Sequence, residues 1–326
     1  MKKILFFLLI AITTNSQTFY GENPLAHTYS IVARDTVTGE MGVAVQSHWF
    51  SVGTIVSWGE AGVGVIATQS MVNASFGPRG LELLKNGFTA KEALDSLIKS
   101  DEGRAFRQLA ILDAKGNVAA YTGSKCIAEA GHIEGNQFSV QANMMLSNNV
   151  WPVMKETFEN TEGTLAERLL ATLDAAEAEG GDIRGKQSAA LLIVKAESSG
   201  KVWEDRLIDI HIEDHSEPLK ELRRIYNVHK AYEHMNAGDL AIEHGDMELA
   251  MQEYSAAQNM FPDNLEMKFW TAVTLANTGK VEESLPIFKE VFEGDINWKT
   301  LTSRLISNEM LTVSEEDLEK ILAVTD

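Results

Sequence analysis

The stretch VQANM, residues 140–144, sets Gln141 and Asn143 on one face of an otherwise apolar strand. Two amides at a strand end offer N–H groups to an oxyanion formed in acyl transfer. The same pair would also satisfy polar groups between two packed sheets, and the spacing alone leaves both readings open. HIEDH places His211 and His215 four apart around Glu213, a spacing that on a helix would put two imidazoles on one metal ion. A strand is expected there instead, and four strand residues span about 13 Å. Two separate surface histidines and no catalytic metal are therefore expected. The single Cys126 forms neither an intramolecular disulfide nor a cysteine-based metal site, and a small buried Cys is commoner than a nucleophile. His48 follows Gln46 and Ser47 at the end of a strand. It is either a proton carrier or a packing residue beside Trp49 and Phe50. The chain has no G-x-S-x-G elbow and no phosphate loop, and no cofactor is expected.

The elements that must hold these residues are legible as a sequence of punctuated runs. Residues 28–35 and 42–47 read as two strands around a turn at Gly39, and 51–58 and 62–69 as two more, rich in Val and Ile and bounded by Gly. Helices follow at 78–86 and 90–99, the second opened by a Thr89/Glu92 capping box. A hairpin spans 107–113 and 118–122, and another strand 138–145. Helices at 150–159 and 164–179 lead, through the break at Gly180 and Gly181, to a last hairpin at 187–195 and 203–213. Hairpins interrupted by two helix pairs do not suit a Rossmann-like sheet, in which strand and helix alternate singly. The order suits an α+β fold of four layers, αββα, with one helix pair outside each of two stacked antiparallel sheets.

Composition narrows the function classes. The 326 residues are 44% hydrophobic and 23% charged, enough for two domains with sizeable cores. A net charge of −19, with no Lys/Arg-rich run, argues against nucleic acid and against an anionic membrane surface. Lys2 and Lys3 precede the apolar run 4–12 and the small polar residues 13–17, which reads as a signal peptide over 1–16. That run is too short to span a bilayer, and no nearby Cys would accept a lipid. A periplasmic or secreted protein is expected, not a lipoprotein, with 17–27 as a leader or propeptide.

From about residue 217 the texture becomes helical. Gly245 and Gly279 are 34 residues apart, as are Tyr254 and Phe288, which is the period of a tetratricopeptide repeat. Ala231, Gly238, Ala250 and Pro262 also stand where that repeat wants small or helix-ending residues, so residues 217–326 resemble it and are expected to form an all-α helical-repeat domain. Such a tail would recruit a protein partner or build a homo-oligomer.

Six stretches in order, among them TYSIVARDTVTGEMGVAVQS, AGVGVIATQSMVNASFGPRGLELL, AGHIEGNQFSVQANMML and GGDIRGKQSAALLIV, resemble the bacterial family called domain of unknown function 1028, which is similar to the N-terminal-nucleophile (Ntn) hydrolases. The resemblance covers residues 28–225. It implies an αββα Ntn sandwich over 28–216 and a nucleophile at the head of its first strand, Thr28 here. A Thr hydroxyl needs a base, and in that style of enzyme its own freed α-amine serves. The resemblance sets Asp182 where an acid would orient the amine, the alternative being an Asp that caps the turn after Gly181. No Lys lies between Thr28 and Lys85, so Arg34, Arg79 or Arg107 would have to supply a positive field, Arg107 best because it opens a central strand. Ser188, at the head of QSAALL's strand, joins Gln141 and Asn143 as a supporting group. The implied function is a secreted amidohydrolase acting on a small amide or peptide-like bond. The alternative is an inactive scaffold whose repeats mediate protein interaction. Residues 17–27 stand before Thr28, and LAH is a poor processing site, so the two readings turn on whether they are removed.

Overall fold

The computed structural model describes residues 25–26 and 28–325. The signal-peptide reading and most of the leader lie outside those residues. The described chain forms two compact units that divide between Leu222 and Arg223, and each is taken by itself.

The first unit begins with strands β1 (Leu25–Ala26), β2 (Thr28–Arg34) and β3 (Met41–Ser47), a helical turn α1 (Gly53–Val56), and strands β4 (Ser57–Glu60) and β5 (Gly64–Met71). Helices α2 (Phe76–Lys85) and α3 (Ala90–Lys99) follow, then strands β6 (Arg107–Asp113), β7 (Val118–Thr122), β8 (Gly131–Gly135) and β9 (Phe138–Ala142). Helices α4 (Val150–Asn160) and α5 (Leu165–Ala178) and the hairpin β10 (Ser188–Val194) and β11 (Arg206–Ile212) complete it. All strand pairs are antiparallel. One sheet has the order β1-β5-β6-β7 with β4 also on β5, and the other β11-β10-β3-β2-β9-β8.

The central strands of each sheet are buried on both faces, which is why they read as near-continuous apolar runs. Val32, Val43 and Val45 of one sheet meet Val65, Ala67, Ala110 and Leu112 of the other. The alternate residues Ile66, Leu109 and Ile111 face outward onto Leu81, Ala93 and Leu97 of α2 and α3. On the other sheet α4 and α5 pack against β2, β3, β8 and β9. Both Thr89/Glu92 and Thr164/Glu167 close reciprocal capping boxes that start α3 and α5. A cap of this kind stabilises by about 1 kcal/mol.

Two expectations yield to tertiary packing. Residues 51–58, expected as a strand, turn through α1 before β4 begins. The helical turn sends Val52 and Val56 into the core on one face, and a Cβ added at Gly53 would lie 2.6 Å from that of Ala190. The strand expected over 138–145 stops at Ala142, because Met144 takes φ +59° and turns the chain. Strand β8 adds an edge that the sequence does not announce, because GHIEG is half-buried and has no apolar alternation.

The second unit continues helix α6 (Pro218–Glu243) and adds α7 (Met247–Met260), α8 (Leu265–Asn277), α9 (Val281–Gly294), α10 (Asn297–Leu305) and α11 (Glu315–Leu322). Helices α7 and α9 begin 34 residues apart, and the buried rings of Tyr254 and Phe288 keep that offset. Gly238 lets α6 approach α7, since an added Cβ would sit 2.6 Å from the Tyr254 ring. Phe288 packs edge-on to Phe269 at 6.1 Å in the core of this unit. Phe288→Ala is expected to destabilise the helical unit by about 3–5 kcal/mol, read as a lowered urea midpoint of its transition. No helix among the described residues is long and apolar enough to cross a membrane.

Candidate functional site

Along the layer between the sheets, apolar residues give way to polar ones at one end. Strand β2 runs Val32, Ser30, Thr28 toward that end on the inward face. Tyr29 points the other way, its hydroxyl donating to Glu177 of α5 at 2.8 Å. Burial and the Glu177 carboxylate push the Tyr29 phenol well up, so it stays a donor.

Inward of Tyr29, six amide and hydroxyl side chains form one buried network. Ser30 donates to Gln69 Oε1 at 2.6 Å and accepts from Gln141 Nε2 at 2.7 Å, while Ser139 donates to Gln141 Oε1 at 3.0 Å. Gln108 Oε1 accepts from Gln69 at 2.7 Å and from Asn143 at 2.9 Å. Its own Nε2 lies within hydrogen-bond distance of Thr122 Oγ1 and of the Gly131 and Ala142 carbonyls.

This network ends on Thr28. The Thr28 carbonyl accepts from Gln69 Nε2 at 3.2 Å, Asn143 Nδ2 at 3.3 Å and the Asn143 backbone N–H at 3.1 Å. Three donors on one carbonyl hold the residue rigidly. Its side chain, fully buried beside its register partner Ser47, has an Oγ1 with no hydrogen-bond partner among the described residues. An orphaned buried hydroxyl costs about 1–3 kcal/mol. Such a group at the end of a buried polar network is an unusual use of a strand-opening Thr.

The loop after α5 borders the same end. Gly180 and Gly181 take φ +115° and +54°, and a Cβ added at Gly181 would lie 2.8 Å from Glu177 Oε2. That turn buries Asp182, whose Oδ2 accepts from the His48 N–H at 3.2 Å, one residue beyond Ser47. Arg184 closes on the same carboxylate, its Nη2 2.6 Å from Oδ2 and its Nε 3.0 Å from Oδ1. Asp182 is thus both a turn cap and a buried acid at the rim.

The other predicted residues are differently placed. Arg107 faces outward, because Gln108, Ala110 and Leu112 take the inward positions of β6. Its Nε is 2.6 Å from Asp101 Oδ2, and its Nη1 donates to the Met71 carbonyl. Arg107 therefore braces the end of β5, and its charge is spent on Asp101. Burial pushes the Asp101 carboxyl up, but the Arg107 hydrogen bond and the Gly103 N–H outweigh it and hold the carboxyl below its usual value. A carboxyl with a depressed folded pKa contributes stability that is present above the ordinary aspartate value of about 3.9 and lost as pH falls through its folded value. Asp101→Asn is expected to flatten the acid limb of the stability–pH curve below about pH 4, measured by urea unfolding. Ser188 donates to the Trp49 carbonyl and accepts from the Val52 N–H, which ties down the loop before α1. Gln141 and Asn143 share the inward face, but their amide hydrogens already serve the network. Gln108, at the hub, carries no mark beyond being a lone amide in the apolar run RQLAILD.

Cys126 lies outside the network, 3.4 Å from the Arg107 carbonyl. Burial pushes its thiol up, which keeps it protonated and a weak nucleophile. His211 bonds Asp209 at 3.0 Å, and that bond raises its pKa. His215 instead accepts from the Glu217 N–H, so the two rings are used separately.

A sequence family described as "Family of unknown function (DUF1028)" matches residues 28–222. The chain belongs to this family. Among solved structures, the crystal structure of protein SPO2555 from Silicibacter pomeroyi, also assigned to DUF1028, is similar to it. That likeness has 32% sequence identity and a TM-score of 0.56, and covers 61% of this chain and 84% of the other. No curated protein matches this one.

Proposed function

We propose that this DUF1028 protein is an Ntn-type amidohydrolase, in which Thr28, once it begins the chain, attacks a small amide or peptide-like bond. The observation that carries this is the Thr28 hydroxyl, buried and unpartnered on a residue whose carbonyl is clamped by three donors. The family match starting at residue 28 agrees with it.

In this reading Thr28 Oγ1 bonds to the substrate carbonyl carbon and its proton passes to the Thr28 α-amine. The C–N bond then breaks, the amine returns the proton to the leaving nitrogen, and an acyl ester remains on Oγ1. Water adds to that ester and the acid departs, restoring the hydroxyl. Asp182 is the carboxylate at this rim suited to orient the ammonium form. Two packed antiparallel sheets with outer helix pairs suit the Ntn sandwich, and the helix offset in the second unit suits tetratricopeptide-like repeats. Export by residues 1–16 would bring the protein to the periplasm or beyond.

The second reading, an inactive scaffold with an interaction tail, draws on the pairing of Leu25–Ala26 with β5. A Thr28 preceded by a paired strand has no free amine. Intact mass of the protein from its native host separates the two. A chain starting at Thr28 is expected, and one starting upstream of it would sink the catalytic reading.

A further inference from the structure

We infer that the outer edge of β5 at Ser70 and Met71 is a docking rung for the acyl arm of an extended, peptide-like substrate, and that the chain's own Leu25–Ala26 fills it until removed. The inference rests on Thr28 being the nucleophile and names the substrate class of that site.

Leu25 pairs with Met71 and Ala26 with Ser70, antiparallel, on the β5 edge of the first sheet. Two residues later Thr28 opens β2 in the other sheet. The chain therefore steps from the rung to the nucleophile across residue 27. The carbonyl of residue 27 is the group acylating the Thr28 nitrogen, so the residues before it trace the path of an acyl arm leading away from Thr28. The same edge of β5 is covered further along by β4, which pairs with residues 64–67. Without Leu25–Ala26, the opening left at residues 68–71 is a short one at the Thr28 end. Unpaired strand edges accept an extended chain through main-chain hydrogen bonds. This edge is also held from behind, because Arg107, fixed by Asp101, donates to the Met71 carbonyl. Ser70 is kept at φ +72°, a conformation that costs about 1–3 kcal/mol and persists only where the surroundings over-determine it. A braced, strained strand end is suited to receive a chain without rearranging.

The probe is the chain's own segment 22–27 as a blocked peptide, acetyl-Glu-Asn-Pro-Leu-Ala-His-amide, titrated into protein that begins at residue 28. Saturable binding is expected. In an antiparallel pair only alternate residues point their N–H at the partner. N-methylation at one of the two positions, Leu25 or Ala26, should therefore weaken binding about tenfold or more, the loss of one hydrogen bond. Methylation at the other should leave it unchanged. No binding at millimolar peptide, or equal binding of both methylated peptides and the parent, overturns the rung. If the shortened chain does not fold, the full chain carrying both Leu25→Pro and Ala26→Pro offers the same vacated edge. It must then bind the peptide more than tenfold tighter than the unaltered chain. A small β-lactone that acylates Thr28 reports on the nucleophile separately. Acylation without peptide binding sinks the rung alone, and alternating peptide binding without acylation sinks the nucleophile alone.

Discussion

Protein that begins at Thr28 is expected to take up a β-lactone at that residue and to hydrolyse simple acyl amides. Thr28→Ala in the same form is expected to lose both, with turnover reduced about 10³-fold or more, since a nucleophile and its base act as a unit. The full chain should give no adduct, because its Thr28 nitrogen is bound in a peptide and cannot act as base. Intact and peptide-level mass after labelling reads the adduct, and the same spectra exclude Cys126 as the target. The rate should rise with pH through the pKa of a chain-terminal amine, about 8, because the neutral amine is the active form. Turnover retained by the Thr28→Ala protein would move the chemistry elsewhere.

A second large effect is expected from Gln108→Leu. The leucine has nearly the volume of glutamine but none of its hydrogen bonds. Gln69 and Asn143 would each lose an acceptor in a site with no access to water. The Gly131 and Ala142 carbonyls and Thr122 would lose a donor. Leaving several buried groups unpaired at once should cost about 3–5 kcal/mol, read from the urea midpoint of the first unit. Gln46→Leu supplies the contrast. Gln46 pairs with Tyr29 in register, so it lies on the helix-facing side, fully buried and with neither amide atom hydrogen-bonded among the described residues. Replacing an unpartnered buried amide by an apolar group should be neutral or stabilise by about 1–2 kcal/mol. If Gln108→Leu proved as mild as Gln46→Leu, the network would not be what holds Thr28.

The two substitutions also mark what could be read from the residue string. Polar residues at alternate positions of VQANM were visible, and their shared inward face followed from the two-residue period of a strand. What each amide bonds to was not visible, because its partners come from β2, β5, β6 and β9, up to 115 residues apart. Arg107 shows the same limit. Opening a central strand suggested a role at the site, yet register decides the face, and a one-residue offset turns Arg107 toward Asp101 and makes Gln108 the inward residue. Asp182 was legible as a turn residue after two glycines. Its closeness to His48 depends on a loop and a strand end 134 residues apart.

By itself the sequence determined the alternation of hairpins and helix pairs, both capping boxes, the 34-residue offset of the second unit and Thr28 as the head of a strand. These are local properties, set by the period of apolar residues, by caps and by glycine turns within a few residues of each other. Only the tertiary structure decided that Thr28 keeps an orphaned hydroxyl while its carbonyl takes three donors, that Gln108 is the hub of the network holding it, and that Leu25–Ala26 lies along the edge of β5. Those are contacts between segments distant in the chain, and no short-range pattern specifies them, because they exist only once the two sheets have packed.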